Sequence, residues 1–390
     1  LGLVGSEMCI RDRSYTYNIN NLASIEDDTS LTSYSYNDSG SVSSINTLNK
    51  ENNQQSTVSY QYDTFNRLIK TTNGQNVEEV TYDEDGNILT IVKTSNSQQV
   101  SSKTFTYNLN KLTAVTDSVD SSSNISITYN GFYPSSINNT ALSWEGKRLK
   151  QYGDIASYEY NSLGIRTSKQ VGNKRYNYFV EGDRVLAMDI YDGDLQYGFN
   201  LVFDYDESGK LISVSEPGFT FFYIRDGLGN IIKLVDEQGN DVVKYSYDSW
   251  GKVTINTISS LHPSARFNPF MYKGYIYDVE TGLYYCNSRY YSPELRRFIS
   301  PDSIDYLDPE SINGLNLYAY CGNDPINRYD PTGHFWDYVL DAVFIGIYEF
   351  IKDPSWSKGL WLAADIVLAI LPFVPSISSA GHILSLIHIS

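Results

Sequence analysis

Residues 82–91 read YDEDGNILTI. Asp83, with a Gly three positions on, supplies both the local side-chain bond and the positive-φ position that reverse a chain. Alternating residues lead into Tyr82 and out of the turn, so one face of each flanking strand is directed at a core. The segment predicts a β-hairpin with an aromatic residue at its rim. YNDSGSVSSI at 36–45 has the same form, and YDTFNRLIKT, YNSLGIRTSK, YDESGKLISV (205–214) and YDSWGKVTI (247–255) are variants of it.

The pattern recurs. An aromatic residue followed by Asn or Asp stands at Tyr17-Asn18, Tyr36-Asn37, Tyr62-Asp63, Tyr82-Asp83, Tyr107-Asn108, Tyr129-Asn130 and Tyr160-Asn161, and Trp144-Glu145 fills the one wide gap. The successive spacings are 19, 26, 20, 25, 22, 15 and 16 residues. One hairpin is marginal alone, so each must pair with the next, and stacked copies make a long antiparallel sheet that has to curl. The expected class is mainly β, a curled shell of hairpins whose inner lining is apolar.

Composition agrees. The chain has 34 Tyr against 3 Met and 5 Trp, a bias toward strands. With 29 Lys plus Arg against 46 Asp plus Glu, the formal charge is −17, which disfavours nucleic acid as a partner. Cys9, Cys286 and Cys321 form no CxxC pair, and only four His are present, so neither a disulfide framework nor a zinc module is expected. No metal or cofactor is implied.

The most specific stretch follows Tyr223. Two Gly-Asn turns, Gly229-Asn230 and Gly239-Asn240, separate three alternating runs, and NPFMYKGYIYDVETGLYYCNSRYYSPELRRFISPD (268–302), GLNLYAYCGNDPINRYD (314–330) and PTGH (331–334) come next. The repeats resemble those of Rhs and YD-repeat proteins, a family that includes bacterial polymorphic toxins, insecticidal toxin-complex C subunits and teneurins. Residues 223–333 resemble the Rhs-associated core region, above all through Thr281-Gly282-Leu283-Tyr284-Tyr285, Arg289-Tyr290-Tyr291, Arg297-Phe298, Ser300-Pro301-Asp302 and Asp330-Pro331-Thr332-Gly333. The resemblance implies a hollow β shell, plugged at one end by the core region, that encloses its own C-terminal effector. It further implies a bacterial protein that is secreted or held at the cell surface, with an immunity protein or a secretion apparatus as further partners.

Relatives of this kind cut themselves near a DPxGL motif, with aspartates as the protease pair. The motif residues here are Asp330, Pro331 and Gly333, with Arg297 in the core motif, but His334 stands where the pattern has Leu. Asp353-Pro354 repeats the first two residues 23 positions on, and Trp356 follows without the Gly. Asp302 is the third candidate. Turn chemistry also accounts for each: Asp330 opens a type I turn, Asp353 caps a helix, and Asp302 is a turn residue after Pro301. Paired carboxylates become a protease only where they approach closely enough to share a proton. Other candidates are weaker. GLGN at 227–230 opens no helix, Cys286 reads as a packed small side chain, His262 as a loop residue, and Arg296 and Arg297 as surface ion pairs, with a carboxylate clamp as the alternative.

Five segments are expected: 1–14, 15–222 for the repeats, 223–333 for the core region, 334–383 for a helical linker toward an effector, and 384–390. SEMCIRDR in the first and SLIHIS in the last resemble translated sequencing adaptor. Residues 335–352 and 358–371 read as apolar helices, the second stopped by Pro372 and Pro375. Its apolar run contains Asp365 and falls short of the ~20 residues needed to span a bilayer, which disfavours a membrane role. Three functions compete: an encapsulating scaffold, a single-turnover aspartyl autoprotease, and an adhesin that presents tyrosines to glycans.

Overall fold

The structure, a computed structural model, describes residues 13–18, 21–194, 197–304, 314–334 and 337–338. The two expected C-terminal helices and Asp353 lie outside the described residues. Contacts within the chain divide it into two units, 1–339 and 340–390, and only the first contains described residues.

Among the described residues, twenty-four strands form one sheet, from Ser14–Asn18 to Val253–Thr257. Each strand pairs antiparallel with the next along the chain, so the sheet is a meander with no crossover. The expected hairpin repeat is therefore the unit of the fold. Strand direction alternates, so the turns that follow the aromatic residue all lie along one rim of the strip and the remaining turns along the other.

The rim turn is built by its acid or amide. The Asp83 Oδ1 accepts the Asn87 N–H at 2.7 Å, while the Gly86 N–H donates to the Asp83 carbonyl. Asn37, Asp63, Asn161, Asp206, Asp226 and Asp248 each accept the N–H four residues on in the same way, and Asp236 builds the same turn on the opposite rim. Position four of the turn needs positive φ. Gly supplies it at Gly86 (φ 77°), and Asn66 takes it at φ 58° where Gly is absent.

The aromatic residue has a second task. Tyr62 Oη donates to the Val42 carbonyl at 2.8 Å, one hairpin back, at the residue that opens the outgoing strand. The same bond recurs from Tyr36 to Leu22, Tyr82 to Leu68, Tyr107 to Ile88, Tyr160 to Leu149, Tyr205 to Val185 and Tyr247 to Ile231. Where the aromatic changes, the donor survives. Trp144 Nε1 reaches the Pro134 carbonyl at 2.8 Å, and Arg225, in the place of a tyrosine, reaches the Leu211 carbonyl at 2.6 Å. Burial pushes the phenols up, Tyr36, Tyr107 and Tyr205 to about 12, so they remain protonated donors across the physiological range. Several of the residues whose carbonyls accept are themselves core: Leu68, Leu149 and Ile231 are at most 1% exposed. Burying each such side chain contributes roughly 1.5–3 kcal/mol.

Every rim hairpin but the last carries a register shift beside this aromatic position, as at Ser35/Tyr36, Gln61/Tyr62 and Thr81/Tyr82. A bulge bends the strand that carries it and increases its twist. Repeated at one rim, it curls the strip. Residues far apart in the chain consequently meet: Gly227 N–H donates to Tyr34 Oη at 2.9 Å, and Thr71 Oγ1 lies 3.0 Å from Ser249 Oγ. A Cβ on Gly227 would stand 2.5 Å from Leu22 and 2.6 Å from Tyr34, so this return of the strip onto itself requires glycine there. No ladder among the described residues joins the first strand to the last, and the sheet is curled without being closed as a barrel.

After the helix Pro263–Phe267 the chain crosses to the rim. Strands Ile276–Asp278, Leu283–Cys286, Arg289–Ser292 and Arg297–Phe298 make a four-stranded sheet, its two middle strands buried at every residue. Tyr272, Tyr275, Tyr284, Tyr291, Phe298 and Tyr320 form its aromatic centre, with Tyr291 stacked on Tyr320 at 3.9 Å. This core region is hydrogen-bonded to rim turns all along the strip. Asn327 holds Val42 N–H, Asn323 the Gly86 carbonyl, Arg297 the Asn110 carbonyl, Tyr318 the Phe132 carbonyl, and Tyr291 the Trp250 carbonyl. The rim is gathered around the core region.

Tyr62→Phe removes one rung and leaves the Val42 carbonyl buried beside an apolar ring. The expected loss is about 1–2 kcal/mol, read as a lower urea midpoint with an unchanged slope. Phe65→Ala, at the exposed tip of the same hairpin, is expected to change the midpoint little.

Candidate functional site

Arg289, in the buried strand Arg289–Ser292, gathers the candidate aspartates. Its Nη2 lies 3.0 Å from Asp302 Oδ2 and 3.3 Å from Asp330 Oδ2, so two of the three sequence-predicted carboxylates converge on one nitrogen. The guanidinium lies 3.6 Å from the centre of the Phe298 ring, and its Nη1 donates to the Leu317 carbonyl at 2.9 Å. Its Nε donates to the Gly333 carbonyl oxygen. Asp302 uses its other oxygen to hold His334 Nδ1 at 2.7 Å and the Ser303 N–H at 2.7 Å. The imidazole that replaces the family leucine is thereby bound to a candidate acid.

Asp330-Pro331-Thr332-Gly333-His334 is held from all sides. Tyr275 Oη accepts the Asp330 N–H at 2.7 Å, Asn287 Nδ2 donates to the Pro331 carbonyl, and Ser288 Oγ donates to the Thr332 carbonyl at 2.8 Å. Asp330 Oδ1 accepts two N–H groups, Gly333 at 2.8 Å and His334 at 3.1 Å, as the turn reading expects of its side chain. Gly333 has φ +74°, and a Cβ there would stand 2.5 Å from Ser288 Oγ and closer still to the Cys286 carbonyl. Burial pushes the Asp330 carboxyl up to about 6 against the pull of Arg289 and the Gly333 N–H, with the Asp302 charge adding to the rise. A carboxyl in that range can hold or release a proton near neutrality.

A second buried cluster escaped the sequence reading. Arg166 Nη1 and Nη2 bind Asp278 at 2.6 and 3.2 Å, and Lys169 Nζ bridges Asp278 at 3.0 Å and Glu280 at 2.8 Å. Burial alone would raise the Asp278 carboxyl, but the two cations overcome it and hold it below the usual carboxylate range. The cluster sits at the one rung whose aromatic place is taken by an aliphatic residue, Val180, so Arg166 occupies the matching acceptor position. The available signal was Arg166 itself, a charge at an inward position of an alternating strand. Arg296 and Arg297 are also corrected: neither is a surface ion pair. Arg296 is buried on Glu78 at 2.6 Å, over Trp250, and Arg297 is buried between Tyr107 and Tyr318.

Cys286 and Cys321 are buried thiols that burial pushes well up, which agrees with packing rather than nucleophilic use. His262 bonds Glu216 at 2.9 Å. No group of metal-ligating side chains occurs among the described residues. Two adjoining clefts of about 540 and 490 Å³ separate the early strands from the last ones. Their walls mix Ile45, Val58 and Ile232 with Thr32, Thr47, Asn73, Ser246 and Asn256, and the larger part of the exposed lining is apolar.

Comparison with known proteins matches residues 13–326 to the family model "Teneurin YD-shell". The tRNA nuclease WapA of Bacillus subtilis strain 168 is 33% identical over 313 residues, which cover 78% of this chain and 13% of that protein. The double-stranded DNA deaminase toxin A of Burkholderia cenocepacia is 25% identical over 338 residues, 83% of this chain and 21% of that protein. A crystal structure of TcdB2-TccC3-TEV superposes with a TM-score of 0.57 at 18% identity, over 82% of this chain and 19% of that one. The chain thus spans only 13–21% of each of these proteins.

Two results are expected. Arg166→Met leaves Asp278 buried with one cation fewer and is expected to cost about 3–5 kcal/mol, most of it recovered when Asp278→Leu is added; chemical denaturation of the single and double variants measures both. Asp330 has a folded pKa of about 6, above its unfolded value of 3.8. Its contribution to stability is therefore full below the unfolded value and lost as pH rises through 6. Wild type minus Asp330→Asn, compared by denaturation from pH 4 to 7, is expected to show that decline.

Proposed function

Because the chain belongs to the teneurin YD-shell family, we propose that it is the wall and end-plug of a scaffold that encloses a C-terminal toxin and delivers it. The observation that carries this reading is the rim gathered on the core region: turns from Val42 to Trp250 bind one small domain, as the closed end of an enclosure requires. Relatives whose names assign unlike chemistries, tRNA cleavage and DNA deamination, share this same part of the chain. A part common to unlike effectors is a carrier of chemistry and not its source. Residues 15–222 would form the wall, 223–333 the plug, and 334–383 the linker to the effector. Secretion or surface display in competition between bacteria, with an immunity protein or secretion apparatus as partner, extends the same reading.

A second reading is favoured by the Asp302–Arg289–Asp330 cluster. Two carboxylates on one arginine nitrogen, one with its pKa raised, are the parts an aspartyl self-cleavage at the plug would use. The adhesin alternative gains nothing comparable, since the tyrosines it needs on the surface are mostly turned into rungs and core.

A longer form of the protein that carries its C-terminal segment, treated with proteinase K under native conditions, is expected to keep that segment intact after the same segment expressed alone is degraded. Equal rates of loss would contradict enclosure.

A further inference from the structure

We propose that the overlap between the first and last strands is a seam, fastened at the rim that meets the core region and able to part at the opposite rim. The strip overlaps itself as a roll does. Strands Ser30–Tyr36 and Val42–Asn49 turn their inner face to the gap, through Thr32 paired with Thr47 and Tyr34 paired with Ile45. Strands Asp241–Tyr247 and Val253–Thr257 turn their back to it, through Lys244 paired with Asn256 and Ser246 paired with Thr254. Val243 and Tyr245, on the other face of the same strand, belong to the core.

The fastenings stand at the rim. Gly227, in one late rim turn, donates its N–H to Tyr34 Oη at 2.9 Å. Ser249, in the next rim turn, lies 3.0 Å from Thr71 through their hydroxyls. The core region ties both layers at the same end, with Asn327 on the Val42 N–H and Tyr291 on the Trp250 carbonyl.

Away from that rim the layers separate. The cleft of about 540 Å³ reaches Asp27, Thr29 and Ser30, which build a turn on the opposite rim. The cleft of about 490 Å³ reaches Asn73 and Asn76, which flank another. Packed interiors hold few voids larger than one water, so across these clefts the two layers are not packed on each other. Water can replace the hydroxyl and amide bonds that fasten them, and a region joined in this way opens before the whole molecule unfolds. Parting breaks the Gly227–Tyr34 and Ser249–Thr71 bonds and turns each layer about its tie to the core region. The two layers share no ladder among the described residues, so no strand pairing is lost. On the enclosure reading, which this inference rests on and deepens, the parted seam is a way through the wall.

The test uses the full chain with Cys9→Ser, Asp28→Cys and Asn256→Cys, spin-labelled and followed by pulsed electron resonance in rising urea; Cys286 and Cys321 are buried. The expected result is a second distance, longer by about 10 Å, one sheet spacing, at urea below the midpoint of global unfolding. Thr71→Cys with Ser249→Cys, closed to a disulfide before labelling, is expected to abolish it. A single distance up to the midpoint, or a second one that persists in the locked protein, overturns the seam. In a longer form that carries its C-terminal segment, the same urea is expected to let proteinase K remove that segment at least about tenfold faster from the unlocked protein than from the locked one. Equal rates, once the labels have shown parting, overturn the way through the wall and leave the seam. Immediate loss from both without urea contradicts enclosure itself.

Discussion

One hydrogen bond, repeated, organises the molecule. At the rim of most hairpins a flat side chain donates to a carbonyl one hairpin back, and those hairpins are thereby joined by side chains as well as by their ladders. The constraint is on the donor and not on the ring: Trp144 and Arg225 satisfy it with nitrogen. The bond also explains where the curl comes from. In every rim hairpin but the last it falls beside the register shift that bends the strand, so the element that fixes the spacing of hairpins also sets the direction of the bend.

A curled strip of this length has a problem at its rim, where turns would otherwise stand in solvent with their carbonyls exposed. The core region answers it with side chains suited to short, irregular backbone: asparagines at 316, 323 and 327, tyrosines at 284, 291 and 318, and the arginine at 297. Buried charge is placed where specificity matters. Arg166 with Asp278, and Arg296 with Glu78, join distant parts of the chain, and pairs of that kind contribute more to a unique arrangement than to net stability.

The repeat was legible because its signal is local. An aromatic residue, an acid or amide, and a glycine within five positions determine a turn, and the period of two on either side determines which face is buried. The meander after Tyr223 was legible for the same reason. The rung itself was not, since a bond from Tyr62 to the carbonyl of Val42 depends on two strands twenty residues apart lying in register. Asp278 was missed because its partner, Arg166, is 112 residues away. The candidate site was half legible. Motif residues named Asp302 and Asp330, but Arg289, which unites them, stood only as part of the core-region motif Arg289-Tyr290-Tyr291 with no role of its own, and nothing in sequence spacing places His334 on Asp302.

The central claim is that strands far apart along the strip converge on one core region within a single chain. Zero-length carbodiimide cross-linking of the monomer, with peptide mapping, tests it directly. Glu294 lies 2.5 Å from Lys103 and 2.6 Å from Lys252, so the account predicts cross-links from Glu294 to both lysines. A map in which Glu294 joins only its sequence neighbours, or joins Lys103 only between separate molecules, would contradict it.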